Sequence, residues 1–286
     1  EICACLVGSE MCIRDSKSTI SIRTNLTRCT PDELRAMLEA EGVTVTAVDE
    51  LNYAFVISGF DYLNGLQSFR DGLFYVQDIS SMLVAQTAAP KKGDYVIDVC
   101  AAPGGKSTHI AELLQGSGHV LARDLTDTKV GMIEENIDRH GLKNMSAEVW
   151  DATVPDADSA GKADILICDL PCSGLGVLGR KKDIRYKMTP ESVDELAALQ
   201  RQILDTVHTY VKPNGVLVYS TCTIDEAENE DNVRWFIEKH PEFELDKSFA
   251  EGTGMKQILP GEHGSDGFFI ARSVSYTHLT LPTTSR

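Results

Sequence analysis

Two cysteines occupy positions where a folded α/β chain would present reactive groups. Cys172 lies in Asp169-Leu170-Pro171-Cys172-Ser173-Gly174, directly after the apolar run ADILIC, and Cys222 lies in Ser220-Thr221-Cys222-Thr223, directly after GVLVYS. Alone, either cysteine would more often be a small buried hydrophobe than a nucleophile. Two of them on neighbouring strand ends beside a ligand loop reverse that weighting. Carbon 5 of cytosine is too weak a nucleophile to attack a methylsulfonium unaided, and a thiolate adding at carbon 6 turns it into an enamine-like one. An acid near ring N3 must stabilise the adduct, and a base must remove the carbon 5 proton before the thiolate leaves. Asp169 stands at the right strand end for the first task, and Cys172 could serve the second. Position alone leaves open which cysteine attacks. A methyltransferase acting on an exocyclic amine needs no thiol and would more usually carry an aromatic after Asp/Asn-Pro-Pro, whereas Cys172 follows Pro171 here.

The ligand loop is Asp98-Val-Cys100-Ala101-Ala102-Pro103-Gly104-Gly105-Lys106-Ser107-Thr108. Gly105-Lys106-Ser107 supplies the end of a Walker A motif, but Cys100 stands where its first glycine belongs. Asp169 after ILIC could pass for a Walker B residue, so a nucleotide triphosphatase is a rival of a different class. Pro103 argues against it, because proline offers no N–H to a phosphate and stiffens a loop that needs successive open amides. The next strand, HVLARD, ends in Asp124, about twenty residues past the glycines, where a carboxylate can take both hydroxyls of a ribose. A nicotinamide dehydrogenase would share this aspartate but needs G-x-G-x-x-G, which is absent. An adenosyl ligand without phosphates satisfies both observations, and S-adenosylmethionine is the common one. Asp151, after the third strand, is placed to meet the adenine amino group; the alternative is a turn cap.

These residues need a scaffold that gathers strand ends. YVIDV (95–99), HVLAR (119–123), MSAEVW (145–150), ADILIC (163–168) and GVLVYS (215–220) read as strands. Helical stretches lie between them at GGKSTHIAELLQ, DTKVGMIEENIDRHG and from about Thr189 to Tyr210, followed by IDEAENEDNVRWFIEKH. Regular β/α alternation predicts an α/β fold, a doubly wound, mostly parallel sheet with ligands outside the carboxyl ends of the strands. QILPGEHGSDGFFIAR reads as a closing hairpin. Residues 17–74 form a small α+β unit expected to position substrate, and 75–272 the catalytic domain. Residues 1–16 lack periodicity and signal-peptide features, and both they and the tail SVSYTHLTLPTTSR (273–286) resemble translated adapter sequence and are expected to be non-native ends.

At 286 residues, 42% hydrophobic and 24% charged, the composition is that of a globular chain with no bilayer-length apolar run. Cysteines inside apolar runs predict a reducing, cytoplasmic location, and without zinc-type spacing no metal is expected. A monomer is expected. The net charge of −16 weighs against a nucleic-acid partner. Set against it is the run GRKKDIRYK, where Arg180, Lys181, Lys182, Arg185 and Lys187 are either a solvated loop or an RNA contact.

Taken in order, CAAPGGKST, Asp124, Asp151, DLPCSG, LQRQIL, VYSTCT and DGFFIAR resemble the RsmB/Sun family of RNA cytosine-C5 methyltransferases, relatives of the NOP2/NSUN enzymes, over roughly residues 17 to 272. The resemblance implies a class I S-adenosylmethionine methyltransferase fold, with Cys100 to Lys106, Asp124, Asp151 and Asp169 on the methyl donor. It implies that Cys222 is the nucleophile and that Cys172 assists product release, an allocation that spacing does not give. It further implies a 16S ribosomal RNA substrate, with the basic loop near the RNA. Members carry an upstream helical domain resembling NusB, expected to precede this chain. Arg123 and Leu170 depart from the usual residues without removing a reacting group. An inactive RNA-binding scaffold is the remaining alternative.

Overall fold

A computed structural model describes residues 19–276; the segment 1–16 and the residues beyond 276 lie outside it. The first unit runs β1 (Ile20–Thr24), α1 (Pro31–Ala40), β2 (Thr44–Ala47), β3 (Ala54–Ser58), α2 (Gln67–Arg70) and β4 (Phe74–Val76). Helix α1 starts where its sequence says it should. Thr30 and Glu33 form a reciprocal capping box ahead of Pro31, and Leu34 and Leu38 turn inward. The strands pair antiparallel in the order β2-β3-β1-β4. The small sheet thus extends through Val76, past the boundary expected at 74.

The second unit comprises α3 (Ile79–Ala88), β5 (Tyr95–Asp98), α4 (Gly105–Leu113), β6 (His119–Asp124), α5 (Asp127–His140), β7 (Met145–Val149), β8 (Ala163–Asp169), α6 (Ile184–Lys187) and α7 (Pro190–Val207). It continues with β9 (Val211–Thr221), α8 (Glu230–Lys239), β10 (Phe243–Leu245), β11 (Met255–Ile258) and β12 (Phe268–Ser275). Its strand order is β10-β12-β9-β8-β5-β6-β7, with β11 also paired to β12. Strands β5 to β9 are parallel, and β12 runs antiparallel to β9. This is the doubly wound, mostly parallel sheet that β/α alternation predicts.

Strand alternation divides the core between the two faces. Ile165 and Ile167 point with Val96 and Val120 toward α3, α4 and α5, where Ala85, Ile110 and Ile133 meet them. Leu166 and Cys168 point with Ile97 and Leu217 toward α7 and α8, against Leu204, Val207 and Phe236. Both faces are covered, as a parallel sheet requires. The carboxyl ends of β5, β6, β8 and β9 therefore share one edge. The hairpin of β11 and β12 is present as expected, but β12 runs on to Ser275, with Ser273 paired to both Leu217 and Leu245. Helix α8 begins at Glu230, six residues later than the sequence suggests. Among the described residues no helix is long and apolar enough to cross a membrane.

A buried cation joins the two units. Arg23 on β1, 1% exposed, pairs with Glu112 of α4 at 2.6 Å and donates to Thr108 at 3.1 Å and Gln77 at 3.0 Å. Burial pushes Glu112 up to about 7 despite that guanidinium.

Candidate active site

The loop after β5 is shaped by one glycine and held from below. Gly104 has φ +106°, in the left-handed region, and its N–H donates to Ala101 O at 2.7 Å. Ala101 N–H in turn donates to Arg123 O at 2.8 Å, fixing the loop to β6. Pro103 O accepts from the Tyr75 hydroxyl at 3.3 Å and from Asn136 Nδ2 at 3.0 Å, so β4 and α5 form its floor. Gly105 lies so close to the Tyr75 ring that a Cβ there would sit 3.1 Å from it. Asp98 is fully buried; the Ser107 hydroxyl donates to Oδ2, while Oδ1 has no partner. Burial pushes its carboxyl up to about 7. Cys100 is half-buried in the loop, and burial also pushes its thiol up.

Asp124 closes this side. Its Oδ2 accepts from Ala102 N–H at 2.9 Å, and its Oδ1 from Leu125 N–H at 2.8 Å with Lys129 Nζ 2.9 Å away. Asp151 is exposed, and its Oδ1 caps a turn through the Thr153 N–H and hydroxyl, which hold it below the usual carboxylate range. The turn-cap alternative is therefore realised, with the side chain still on the same sheet edge. Arg123 explains its own unusual presence: it pairs with Glu148 at 2.6 Å and Asp156 at 2.7 Å, with Trp150 over its guanidinium.

The cysteines come together because Asp169 and Ser220 are register partners across β8 and β9. The two sulfurs lie 3.3 Å apart, and Cys222 N–H donates to Cys172 Sγ at 3.3 Å. Beside them Lys106 Nζ pairs with Asp169 Oδ2 at 2.6 Å, and the Ser220 hydroxyl donates to Asp169 Oδ1 at 2.8 Å. Lys106 also lies over the Phe268 ring. The Cys172 hydrogen bond holds Cys222 below the usual thiol range against burial and Asp169, with Lys106 and Lys181 as supporting cations. The same bond, then burial, pushes Cys172 well above it. Of the two thiols, Cys222 is therefore the easier to deprotonate. Burial opposes the Lys106 charge, yet Asp169 outweighs it and raises the ammonium above its ordinary range.

Residues 85–273 match the family described as 16S rRNA methyltransferase RsmB/F. The chain belongs to that family. Among its relatives is a Bacillus subtilis protein named Probable ribosomal RNA small subunit methyltransferase B, 40% identical over 87% of this chain and 58% of that protein. Another is the tRNA (cytosine(72)-C(5))-methyltransferase of Pyrococcus horikoshii, 38% identical over 73% of this chain and 54% of that protein. The chain thus spans a little over half the length of these curated relatives. The crystal structure of PH0851 superposes with a TM-score of 0.85 at 32% identity, covering 91% of this chain and 60% of that one. That of NSun6 from Pyrococcus horikoshii with SFG gives 0.79 at 24% identity over 92% of each, a likeness of fold.

In this RsmB/F chain the cysteine loops are clasped by Glu228 and by Gln200 of the LQRQIL segment, neither of which the sequence reading gave a role. Glu228 is fully buried, and its carboxylate accepts from Ser173 N–H and Gln200 Nε2, each at 2.9 Å, and from the Ser173 hydroxyl. Gln200 also donates to Pro171 O at 2.9 Å. Gln200 had a signal, since it falls on the buried stripe Val193, Ala197, Gln200, Leu204, Val207 of α7. Glu228 had none, sitting in an acidic run that reads as a solvated helix face. Gly176 donates to Cys222 O at 3.0 Å and accepts from Gly267 N–H at 2.9 Å; a Cβ on Gly176 would lie 2.2 Å from Gly267 O.

The basic loop of the RsmB/F chain is only partly free. Arg180 pairs with Asp78 at 2.6 Å and Asp266 at 3.2 Å, strapping the loop to the start of α3 and to the hairpin. Lys187 pairs with Asp183 at 2.8 Å. Lys181, Lys182 and Arg185 are exposed, as is Tyr186, and Ile184 packs over Gly174 beside the cysteines.

Proposed function

We propose that this chain transfers a methyl group from S-adenosylmethionine to carbon 5 of a cytosine in RNA, with 16S ribosomal RNA as the substrate, through a Cys222 adduct. The observation that carries this reading is the thiol pair 3.3 Å apart beside the Lys106–Asp169 ion pair, on the edge that also holds the β5 loop. The family model and the relatives support the RNA class.

The loop fits the donor. Gly104 has no side chain to block it, and buried Asp98 keeps one carboxyl oxygen unpartnered. The segment Cys100 to Lys106, with Asp124, Asp151 and Asp169, would hold the donor. When bound, S-adenosylmethionine supplies an electrophilic methyl group. The commitment of Lys106 to Asp169 counts against a triphosphatase, whose loop lysine must be free for phosphates.

Cys222, the lower of the two thiols, adds as thiolate to carbon 6 of an extruded cytosine, and the C5–C6 π pair becomes available at carbon 5, which would bond the methyl group as its bond to the donor sulfur breaks and that sulfur keeps the electron pair. The Lys106–Asp169 pair supplies and retrieves the proton at ring N3. Forming the adduct neutralises the Cys222 sulfur and removes the hydrogen bond that holds the Cys172 thiol up. Cys172 can then lose its proton to solvent and take the carbon 5 proton; the C–H electrons restore the double bond and expel the Cys222 thiolate. Lys181, Lys182 and Arg185 offer the RNA backbone its cations, and the small unit helps to position it. The protein acts as a monomer, and a cytoplasmic, reducing location keeps both thiols free.

The test is methyl transfer from labelled donor to 16S ribosomal RNA, read as 5-methylcytosine by mass spectrometry. Wild type should form it and Cys222→Ala should not; product from Cys222→Ala would overturn the assignment.

A further inference from the structure

Far from the thiols, at the opposite end of β9, the chain leaving α7 meets the chain leaving α8. The two segments bring Asp205, His208 and His240 together, with one ligand atom of each within 4.8 Å of the others. The His208 and His240 rings have centroids 3.9 Å apart and pack against Phe236. His208 Nδ1 lies 2.8 Å from the Asp205 backbone oxygen, an acceptor, so Nδ1 carries the proton and Nε2 the lone pair. That lone pair faces Glu242 Oε1 at 3.7 Å.

His240 is 7% exposed, and its two ring nitrogens face carboxylates on both sides: Nε2 lies 3.2 Å from Asp205 Oδ1 and Nδ1 lies 3.6 Å from Glu242 Oε1. Nε2 makes no hydrogen bond. The Nε2 of His240 thus faces a carboxylate oxygen with no hydrogen bond between them. Lys239, 2.8 Å from Asp205 Oδ1, is the cation at the rim, and it is half-exposed on a flexible stem.

We propose that Asp205, His208 and His240 bind a zinc-class divalent cation, with the fourth position of the shell left to solvent. The three donor atoms lie within 4.8 Å of one another, and the His240 Nε2 to Asp205 Oδ1 separation of 3.2 Å is close to the edge of about 3.4 Å that a tetrahedral zinc site needs. The hydrogen bond from His208 Nδ1 to a backbone carbonyl is the support that orients a ligating imidazole. Zinc here ties the C-terminal turn of α7 to the segment joining α8 and β10, so its role is structural. Cysteine spacing gave no hint of it, because the ligands are gathered by the fold and none is a cysteine.

The test uses the full chain carrying Cys172→Ser and Cys222→Ser, so that the thiol pair cannot capture metal. Zn²⁺ at a hundredfold excess over Kd should raise Tm by about 5–10 °C. Co²⁺ should give the visible bands of a four-coordinate site without thiolate charge-transfer bands. His208→Gln and Asp205→Asn, both at partly exposed positions, should each weaken binding at least about tenfold. No Tm shift, a thiolate spectrum, or equal affinity in both variants would overturn the site.

Discussion

Glu228 and Ser173 are joined twice: the Glu228 carboxylate takes both the backbone N–H and the hydroxyl of Ser173, inside a region with no exposed surface at Glu228. Cys172 is the residue before Ser173, and Cys222 lies six positions before Glu228. One buried carboxylate therefore sets the spacing of two sulfurs that come from different strands. Glu228→Ala would leave three donors unsatisfied and should cost about 2–4 kcal/mol in urea unfolding. Glu228→Gln keeps the shape and one acceptor; it should cost less, yet still lower kcat with little change in KM for the donor.

Removing Cys172 should stall release rather than attack. Cys172→Ala incubated with RNA and S-adenosylmethionine is expected to yield a protein–RNA band that survives denaturant, and Cys172→Ala/Cys222→Ala to yield none. A band that persists in the double variant would mean that some other residue forms the bond.

Lys106 helps to hold the Cys222 thiol low, so Lys106→Met should shift the thiol titration to higher pH. Alkylation of Cys222 by iodoacetamide, followed across pH, reports this directly. The rising limb should move alkaline in the variant; an unmoved limb would leave the Cys172 hydrogen bond and Lys181 as the causes.

Asp98 gives a stability signature. Burial raises its folded pKa from the ordinary 3.8 to about 7, so the folded state binds the extra proton. Stability conferred by that proton is full below about pH 4 and is lost as pH rises toward 7. Asp98→Asn, which cannot ionise, should gain Tm relative to wild type as pH rises from 5 to 8. Equal Tm differences at both ends would rule out Asp98 as the group responsible.

The Gly176–Gly267 crossing leaves no room for a side chain. Gly176→Ala should cost about 1–3 kcal/mol by overpacking and disturb the loop whose N–H donates to the Cys222 carbonyl. Chemical denaturation measures the first, and the iodoacetamide rate at Cys222 the second.

The sheet was legible because its strands alternate and its helices carry wide apolar stripes. Asp124 and Asp169 were legible because they end such strands, both cysteines because they follow them, and Lys106 because it opens the helix after the glycine loop. Short elements were not: Phe74–Val76 has three residues and no period to read, yet it belongs to the first sheet through its pairing with β1. The start of α8 was misplaced because Glu228 and Asn229, polar residues in an acidic run, turn inward to serve loops rather than outward to water. Asp205 and His240 meet only through the packing of α7 on α8, which no local pattern records.

Tyr75 and Arg23 carry a consequence for recombination. The hydroxyl of Tyr75 supports Pro103, and the guanidinium of Arg23 is buried against α4, so the small sheet is a wall of the donor loop rather than a detachable module. A chimera spliced at residue 74 would split β4 and could leave the loop resting on a foreign ring. Crossovers that inherit β1, β4 and α4 from one parent keep both the ion pair and the floor, and relatives should tolerate exchange there only as a block.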